Sequence, residues 1–304
     1  MSAPVTTRLA TEQVEERYAD LDLLDDRNVL ERLLNDQEAG LRAVRTALPA
    51  LTAAVAAAAQ RLERGGRLVY AGAGTSGRLC QLDAAELIPT FSWPAERVVA
   101  LVAGGRTALF GPVENAEDDT TAAETDCLEA RVGADDVVIG VAASGTTPYV
   151  RRVLEHAREH GALTIGIANN PGTPVLEGSD HAILLETGAE VLSGSTRMKA
   201  GTSQKAALNL LSTAVMVRLG KVYRNLMVDV VATNEKLHHR AVQLTVRATG
   251  TTPDAARRHL EESGWNVKTS IAMARLGEGA PEARARIEAA GGRLRPVIGD
   301  EGQR

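Results

Sequence analysis

RLVYAGAGTSG (67–77) and DVVIGVAASGTT (136–147) are the two stretches that decide the fold predicted for this chain. In each, an apolar run ends in small and hydroxyl-bearing residues and is followed by apolar sequence of helical character. A strand that delivers such a loop to a helix start builds an anion site, because backbone N–H groups and hydroxyls converge where the helix dipole is positive. Two such loops on one sheet indicate a site for a phosphorylated small molecule.

The pattern around the two loops is typical of alternating strands and helices. Helices are predicted at 29–34, 39–62 and 200–220, with Gly65 and Gly66 as the stop after the second. Short, nearly continuous apolar runs predict strands at 68–71, 98–102, 137–141, 163–167 and 182–185. Strands of this kind belong to a parallel sheet that is covered on both faces. We therefore predict an α/β fold, a doubly wound parallel five-stranded sheet flanked by helices.

The pattern changes after about residue 240. Thr252, Pro253 and Asp254 are typical of a helix start, and Gly264 of its end. Asn266 and Pro281 open two further helical segments, and no strand is indicated. We predict two domains, a phosphate-binding domain at 1–240 with its N-terminal helices and a small three-helix module at 241–304.

Composition and charge exclude several classes of protein. The 304 residues carry a formal net charge of -5, which argues against nucleic acid or an anionic membrane surface as the main partner. The longest apolar stretch, 47–59, is shorter than the roughly 20 residues of a spanning helix, and the N-terminus lacks an apolar signal core. The two cysteines form neither a metal-binding spacing nor a disulfide framework. We expect a cytoplasmic protein without a metal site.

The first loop also satisfies the dinucleotide pattern G-x-G-x-x-G at 72–77. A dinucleotide fold needs an acidic residue for the ribose hydroxyl at the end of its second strand, and this strand ends in Ala103, Gly104 and Gly105 instead. Many hydroxyls suit a phosphomonoester better, and the two loops supply five: Thr75, Ser76, Ser144, Thr146 and Thr147. Tight turns and helix caps alone would explain either loop, but they explain the pair poorly.

Two acidic features are candidates for proton transfer. If 79–87 is helical, Leu79, Leu82 and Glu86 share one stripe, and a partly desolvated Glu86 would have a raised pKa suited to a general acid. A solvated surface carboxylate is the equally weighted alternative. The run at 114–119 is either an acidic helix start or a second proton-transfer group.

Several motifs together closely resemble one family, that of the N-acetylmuramic acid 6-phosphate etherases. They lie in order across most of the chain: GAGTSGRLCQLDAAELIPTF (72–91), VENAEDD (113–119), AASGTTPYV (142–150), GSTRMKAGTSQKAALNLLSTAVM (194–216) and NLMVDVVATNEKLHHR (225–240). The family has a sugar isomerase (SIS) core. Its last segment is similar to ubiquitin-associated three-helix domains, and residues 255–274 resemble that segment.

The resemblance implies a carbon–oxygen lyase without a metal or organic cofactor. Such an enzyme cleaves the lactyl ether of N-acetylmuramic acid 6-phosphate with water, giving N-acetylglucosamine 6-phosphate and D-lactate in the recycling of cell-wall sugars. Matched motif to motif, the family's two acids fall on Glu86 and Glu117. Glu117 is then expected to help remove the proton at carbon 2 of the ring-opened sugar, and Glu86 to protonate the departing lactate oxygen.

The resemblance also implies a substrate-binding set and an assembly. The expected contacts to the phosphosugar are Gly74, Thr75, Ser76, Ser144, Gly145, Thr146, Thr147, Ser195, Thr196 and Arg197. Helix capping is the alternative for Ser195 and Thr196, and solvent exposure is the expectation for Lys199 and Lys205. We expect a homodimer with composite sites and no nucleic-acid or membrane partner. His238 and His239 are candidates for the partner's site, or ordinary surface histidines.

Two departures from the family pattern concern phosphate affinity and specificity. Thr146 stands where the family often has an arginine, and Arg106 brings a fixed charge where none is expected. Neither touches Glu86 or Glu117. A non-catalytic sugar-phosphate sensor is the alternative function, because glucokinase regulatory proteins share the SIS domain, although they carry two such domains and this chain has room for one. An aldose–ketose isomerase is a third reading.

Overall fold

The computed structural model describes residues 9–230 and 234–299. The first eight residues, on which part of the expectation of no signal core depends, lie outside the described residues. So do residues 231–233 of the motif at 225–240, and residues 300–304.

A parallel five-stranded sheet forms the centre of the first part of the chain. Its strands are β1 (Leu68–Gly72), β2 (Val98–Val102), β3 (Val137–Ala142), β4 (Leu163–Ala168) and β5 (His181–Leu184). The spatial order is β2-β1-β3-β4-β5, with every neighbouring pair parallel. All five strands predicted from the apolar runs are confirmed, each within one residue at either end.

The register of the sheet brings the two loops together. β1 and β3 are neighbours, and Gly72 at the end of β1 pairs with Val141 near the end of β3. Because both strands run in the same direction, the loops that follow them leave the same edge of the sheet side by side. This edge is where parallel α/β sheets bind ligands.

Helices cover both faces of the sheet. On one face, α4 (Thr120–Ala130), α5 (Pro148–Glu159) and α6 (Pro174–Glu177) supply buried residues to one apolar cluster with the strands. α2 (Leu48–Glu63) contacts β3, β4 and β5 and supplies no residue to that cluster, so it covers the opposite face. The doubly wound arrangement follows from strands that are apolar on both sides.

The N-terminal helices differ from the prediction. α1 runs without interruption over Asp26–Thr46 and α2 starts at Leu48, so the break predicted between 34 and 39 is wrong. The break lies instead before Pro49, in the first turn of α2. Proline has no N–H and is tolerated in a first turn, where that donor has no partner in the helix.

The later helices agree with their start and stop signals. α3 (Gly74–Phe91) follows the first loop and α7 (Lys199–Arg218) is the long helix predicted at 200–220. The three predicted C-terminal helices are α9 (Pro253–Glu262), α10 (Val267–Leu276) and α11 (Ala280–Ala289), with Thr252 and Asn266 as N-caps of the first two. α8 (Glu235–Thr249) and α12 (Arg295–Ile298) also contact α10. A short hairpin, β6 (Val222–Tyr223) and β7 (Leu226–Met227), precedes α8.

The chain divides into two compact units. The first contains the residues up to Ala84 together with Glu96–Ser212, and holds the sheet. The second contains Ala85–Ala95 and the residues from Thr213 onward, with its own apolar core of residues from β6 to α11 and Leu294. α3 and α7 each contribute to both units.

No single helix in residues 9–230 and 234–299 has both the length and the apolar character needed to cross a membrane. α1 and α2 taken as a pair meet the requirement by length and composition, but they are bent by 57° with respect to each other.

Candidate active site

A polar cleft of about 410 Å³ lies at the carboxyl edge of the sheet. Both loops line it, together with a residue from the N-terminal segment, two acidic residues that precede α4, and one residue that precedes α7. The lining residues are Glu12, Ala73, Gly74, Thr75, Ser76, Glu117, Asp118, Ala142, Ala143, Ser144, Thr146, Thr147, Pro148 and Thr196. Most of the predicted binding residues therefore meet in one place.

The first loop offers backbone N–H groups to this cleft. α3 begins at Gly74, so the N–H groups of Gly74, Thr75 and Ser76 have no acceptor within the helix. The turn is very tight, since a Cβ on Gly77 would lie 2.7 Å from the carbonyl oxygen of Gly72. The glycine at position 77 thus lets α3 start directly against the end of β1.

The second loop is fixed from beneath by Gly145. Its φ is +74°, and a Cβ there would lie 2.1 Å from Oγ1 of Thr173. The Gly145 carbonyl accepts a hydrogen bond from the N–H of Val175 at 3.0 Å. Within the same loop, Ser144 Oγ accepts a hydrogen bond from the N–H of Thr146 and lies 3.4 Å from Oγ1 of Thr147. The loop therefore turns its hydroxyls toward the cleft while its backbone packs on α6.

The N-terminal segment contributes an acidic residue that sequence reasoning missed. Thr11 is fully buried and makes a double hydrogen bond with Asn170, through its N–H at 3.2 Å and its Oγ1 at 2.9 Å. The same Asn170 side chain donates to the carbonyl of Ala143 in the second loop at 2.9 Å. Glu12 is thereby held at the rim of the cleft. No local signal marks this residue, because it depends on a contact across 159 positions of sequence.

Glu117 lies at the junction of two hollows. It belongs to a 3-10 turn, Ala116–Asp118, that follows Asn115 at φ +58°. It lines the main cleft and also an adjoining hollow of about 340 Å³ that includes Arg78. The guanidinium of Arg78 donates to the carbonyl oxygens of Ala108 and Gly111 at 3.0 and 3.1 Å. The acidic segment is thus a wall of the site, and its Asp119 caps α4.

The charge of the cleft is unexpected for an anion site. Among the residues that the structure describes, no lysine, arginine or histidine lines it, whereas Glu12, Glu117 and Asp118 do. A phosphate held here must be bound by neutral hydroxyls and by backbone N–H groups at helix starts. The three carboxylates suit the end of the ligand that is far from its phosphate, where hydroxyl or amide groups can donate hydrogen bonds to them.

Glu86 is placed differently from the prediction. It is exposed on α3 and is not among the residues that line the cleft. The stripe formed with Leu79 and Leu82 faces outward, and Leu82 is 48% exposed, because the core side of α3 is formed by Cys80, Asp83 and Leu87 instead. The predicted desolvation of Glu86 is therefore wrong for a single chain. Exposed Leu82 and Ile88 flank the carboxylate on this helix.

The start of α7 brings only one of three predicted residues to the cleft. Thr196 lines it, whereas Ser195 is half-buried and Arg197 is exposed, both outside the lining. The hydroxyls do not cap the helix. The carboxylate of Glu190 accepts from the N–H groups of Lys199 and Ala200 at 3.0 and 2.9 Å, and burial raises the pKa of Glu190 although these donors oppose the shift.

Lys199 is buried rather than solvated as expected. It is 2% exposed, and its Nζ donates to Asp36 of α1 at 2.8 Å and to the carbonyl of Ala189 at 2.6 Å. This buried ion pair ties the helix that carries Thr196 to the N-terminal helix. Lys205 is exposed as expected.

The remaining predicted features lie outside the cleft or on its rim. His238 stacks on the indole ring of Trp265 with ring centroids 3.7 Å apart, and His239 is exposed. Thr146 is exposed at the rim and Arg106 is exposed on a 3-10 turn. Within the described residues, no group of three or more His, Cys, Asp or Glu side chains is arranged to hold a metal ion.

The fold and the cleft that the two loops line define a class of protein, the SIS-domain proteins. Residues 117–214 match the SIS domain family, and residues 50–158 match the glucokinase regulatory protein N-terminal SIS domain. A solved structure of a putative phosphosugar isomerase involved in capsule formation from Bacteroides fragilis has a similar fold. It has a TM-score of 0.51 and 21% identity, with 66% of this chain and 95% of that chain covered.

The chain belongs to the N-acetylmuramic acid 6-phosphate etherase family. A protein of that name from Deinococcus radiodurans is 58% identical over 290 residues, which cover 95% of each chain. Proteins of the same name from Mycolicibacterium smegmatis and Geobacillus thermodenitrificans are 48% and 46% identical, with 96% and 95% of this chain and 98% of each relative covered.

Proposed function

We propose that this protein cleaves the lactyl ether of N-acetylmuramic acid 6-phosphate with water, giving N-acetylglucosamine 6-phosphate and D-lactate. The observation that carries the proposal is the cleft in which two hydroxyl-rich loops meet beside Glu117. Near-full-length identity to proteins named for this activity supports the same substrate. The small phosphosugar is bound by its 6-phosphate as a handle, and the ether at carbon 3 is presented to the acidic wall.

The proposed reaction is an elimination followed by an addition. In the ring-opened sugar the aldehyde acidifies carbon 2, so a carboxylate can take its proton while the bond from carbon 3 to the lactyl oxygen breaks. The departing oxygen receives a proton, because an unprotonated alkoxide leaves poorly. Water then adds its hydroxyl to carbon 3 and a proton returns to carbon 2, which gives the product aldehyde.

Glu117 fits the role of the base at carbon 2. It lies on the wall of the cleft together with the first loop, at the junction with the adjoining hollow. Because the side chain is exposed to the cleft, its carboxylate is available to a bound ligand without any rearrangement of the core. The expected consequence is that removing its charge stops proton abstraction and leaves binding of the phosphate largely intact.

Glu86 fits the role of the acid in a homodimer. Its exposed position on α3, between exposed Leu82 and Ile88, is unusual for an isolated chain and suits a surface that a second copy covers. We place Glu86 of one protomer in the site that its partner builds from the two loops and Glu117.

A cytoplasmic location is part of the proposal. Both cysteines, Cys80 and Cys127, are free and buried. Free thiols of this kind suit a reducing compartment, and the phosphorylated substrate is a metabolite of the cell interior.

The direct test is release of D-lactate from N-acetylmuramic acid 6-phosphate by the purified protein. We expect turnover by the parent and loss of at least about a hundredfold in kcat for Glu117→Gln and for Glu86→Gln. Asp118→Asn, which alters a neighbouring carboxylate of the same wall, is the matched control and should retain most of kcat. Lactate release that is the same in the parent and in Glu117→Gln contradicts the proposal.

Mixing the two inactive variants tests the composite site. A mixed dimer of Glu86→Gln and Glu117→Gln chains has one site with both acids intact and one site with neither. Random exchange of equal amounts therefore restores about a quarter of the parent activity if each site draws on both protomers. No recovery after verified subunit exchange shows that both acids act within one chain.

A non-catalytic sugar-phosphate sensor is the second candidate. The match of residues 50–158 to the glucokinase regulatory protein domain favours it. A sensor would gain thermal stability on binding N-acetylmuramic acid 6-phosphate and release no D-lactate during prolonged incubation. The etherase would bind the same compound and consume it.

A further inference from the structure

A chain of buried side chains runs from the first loop into the core. Ser76, which lines the cleft, lies with Oγ 2.8 Å from Oε1 of Gln204 on α7. Nε2 of Gln204 lies 2.8 Å from Oδ1 of Asn169, just after β4. Nδ2 of Asn169 lies 2.9 Å from the carbonyl oxygen of Leu185. Gln204 and Asn169 are fully buried, so these contacts are made without exchange with bulk water.

The carbonyl at the far end fixes the direction of every bond in this chain. The Leu185 oxygen can only accept, so Asn169 must turn its NH₂ group toward it. Oδ1 of Asn169 then faces Gln204 and requires the NH₂ group of that side chain. Gln204 is left with its oxygen toward Ser76, and an amide oxygen can only accept. Ser76 must therefore donate its hydroxyl hydrogen inward, to Gln204.

A second anchor gives the same direction. Oγ of Ser203 donates to the carbonyl of Ala200 at 2.7 Å and lies 3.0 Å from Nδ2 of Asn169. Since the only hydrogen of Ser203 is used at Ala200, this hydroxyl accepts from the amide NH₂ group. Reversing the Asn169 amide would place its oxygen against two acceptors at once, which costs the desolvation of each unpaired buried group.

Because the hydroxyl hydrogen of Ser76 is used in the hydrogen bond to Gln204, the kinds of ligand group that Ser76 can bind are restricted. A serine hydroxyl has one hydrogen and two lone pairs, and the hydrogen is engaged behind the loop. Toward the cleft Ser76 Oγ can only accept. The oxygens of an ionised phosphate are acceptors as well, so this hydroxyl has no hydrogen to offer them. A ligand hydroxyl or an amide N–H is the group that suits it.

We propose that Ser76 is a specificity-determining residue that accepts a hydrogen bond from a hydroxyl or amide N–H of the sugar, while the phosphate lies on the second loop. Gln204 and Asn169 are positioning residues, because they act through Ser76. The inference rests on the proposed function for the class of ligand. It reassigns Ser76, which the sequence grouped with the phosphate donors, and gives the substrate a direction in the cleft.

Two probes separate the sugar from the phosphate. Ser76→Ala is titrated with N-acetylglucosamine 6-phosphate by calorimetry and with inorganic phosphate by ³¹P NMR. We expect the dissociation constant of the sugar phosphate to rise about tenfold and that of inorganic phosphate to change less than about twofold, since one neutral hydrogen bond to the sugar is lost. Ser76→Cys, which keeps a weak donor for Gln204 but is a poor acceptor, should behave alike and guards against misfolding of the alanine variant.

Thr147→Val in the second loop is the matched control, and should weaken both probes. Equal weakening of both probes by Ser76→Ala overturns the inference, because Ser76 then binds the phosphate. Unchanged binding of both probes also overturns it, because Ser76 then contacts neither. If the parent protein binds neither probe while it is folded, the proposed function fails first and this inference falls with it.

Discussion

Asp83 is a buried carboxylate that accepts three hydrogen bonds, so its removal should be strongly destabilising. It is 4% exposed on α3, three residues before Glu86. Tyr70 of β1 donates to it at 2.9 Å, Asn209 of α7 at 2.6 Å and Ser212 of α7 at 3.2 Å. One side chain therefore joins the first strand, the helix after the first loop and the long helix. Burial, followed by the negative charge of Asp83, raises the pKa of Tyr70 well above its usual value.

The expected effect of Asp83→Ala follows from the donors that it leaves behind. Tyr70 is fully buried, so its hydroxyl finds no water, and the amide of Asn209 loses a charge-assisted bond. Each loss costs about 2 kcal/mol, so we expect the free energy of unfolding to fall by about 4 kcal/mol. Tyr70→Phe removes one bond and its buried donor together, and should cost about 1.5 kcal/mol.

A double-mutant cycle isolates the bond between Tyr70 and Asp83. In the double variant the orphaned tyrosine hydroxyl is gone, so its loss in the free energy of unfolding should be about 1.5 kcal/mol smaller than the sum of the two single losses. Urea unfolding followed by circular dichroism measures all four proteins, with Asp22→Ala at an exposed position as a control that should leave the midpoint unchanged. Losses that add to within about 0.5 kcal/mol would refute the assignment of this bond as a direct, stabilising contact.

Three further predictions concern the loops, the thiols and the N-terminal segment. Gly145→Ala should lower the free energy of unfolding by about 3 kcal/mol, because the new Cβ meets Thr173. Gly74→Ala, also at positive φ but in open space, should lower it by about 1 kcal/mol. Equal losses in urea unfolding would contradict this difference. At pH 8 Ellman's reagent should label neither cysteine of the folded protein and both cysteines in guanidinium chloride. The reason is that burial raises the pKa of Cys80 far above its usual value and that of Cys127 to about 12. Fast labelling of the folded protein would show that a thiol is accessible. Thr11→Val should raise the KM for the phosphosugar about threefold with little change in kcat, because the bond that holds Glu12 at the cleft is weakened; an unchanged KM would show that this segment is not part of the site.

The sheet and its two loops could be predicted because their signals are local. Strands buried on both faces are written as apolar, β-branched runs, and the loop residues follow them directly. Thr75, Ser144 and Thr147 thus fall into the cleft as expected. Glu117 could be predicted as a site residue for a different reason, because its motif resembles that of the family. In the structure it lines the same cleft as the two loops.

The errors have physical causes that single-chain patterns do not show. The two leucines, Leu79 and Leu82, predict the wrong face of α3 for burial, because its core side carries Cys80 and Asp83 as well as Leu87. A leucine stripe marks any covered face, including one covered by another chain. Glu12 and Gln204 carry no local signal at all, since each acquires its role from contacts more than a hundred residues away.

The buried side chains behind Ser76 also bear on how ligand binding depends on pH. They are amides and hydroxyls, and none gains or loses a proton between about pH 4 and pH 9. The first loop therefore recognises its ligand in the same way over that whole range, whereas a phosphate monoester changes charge within it, at about pH 6. In the proposed function, recognition of the sugar thus belongs to side chains without charge, and proton transfer belongs to carboxylates.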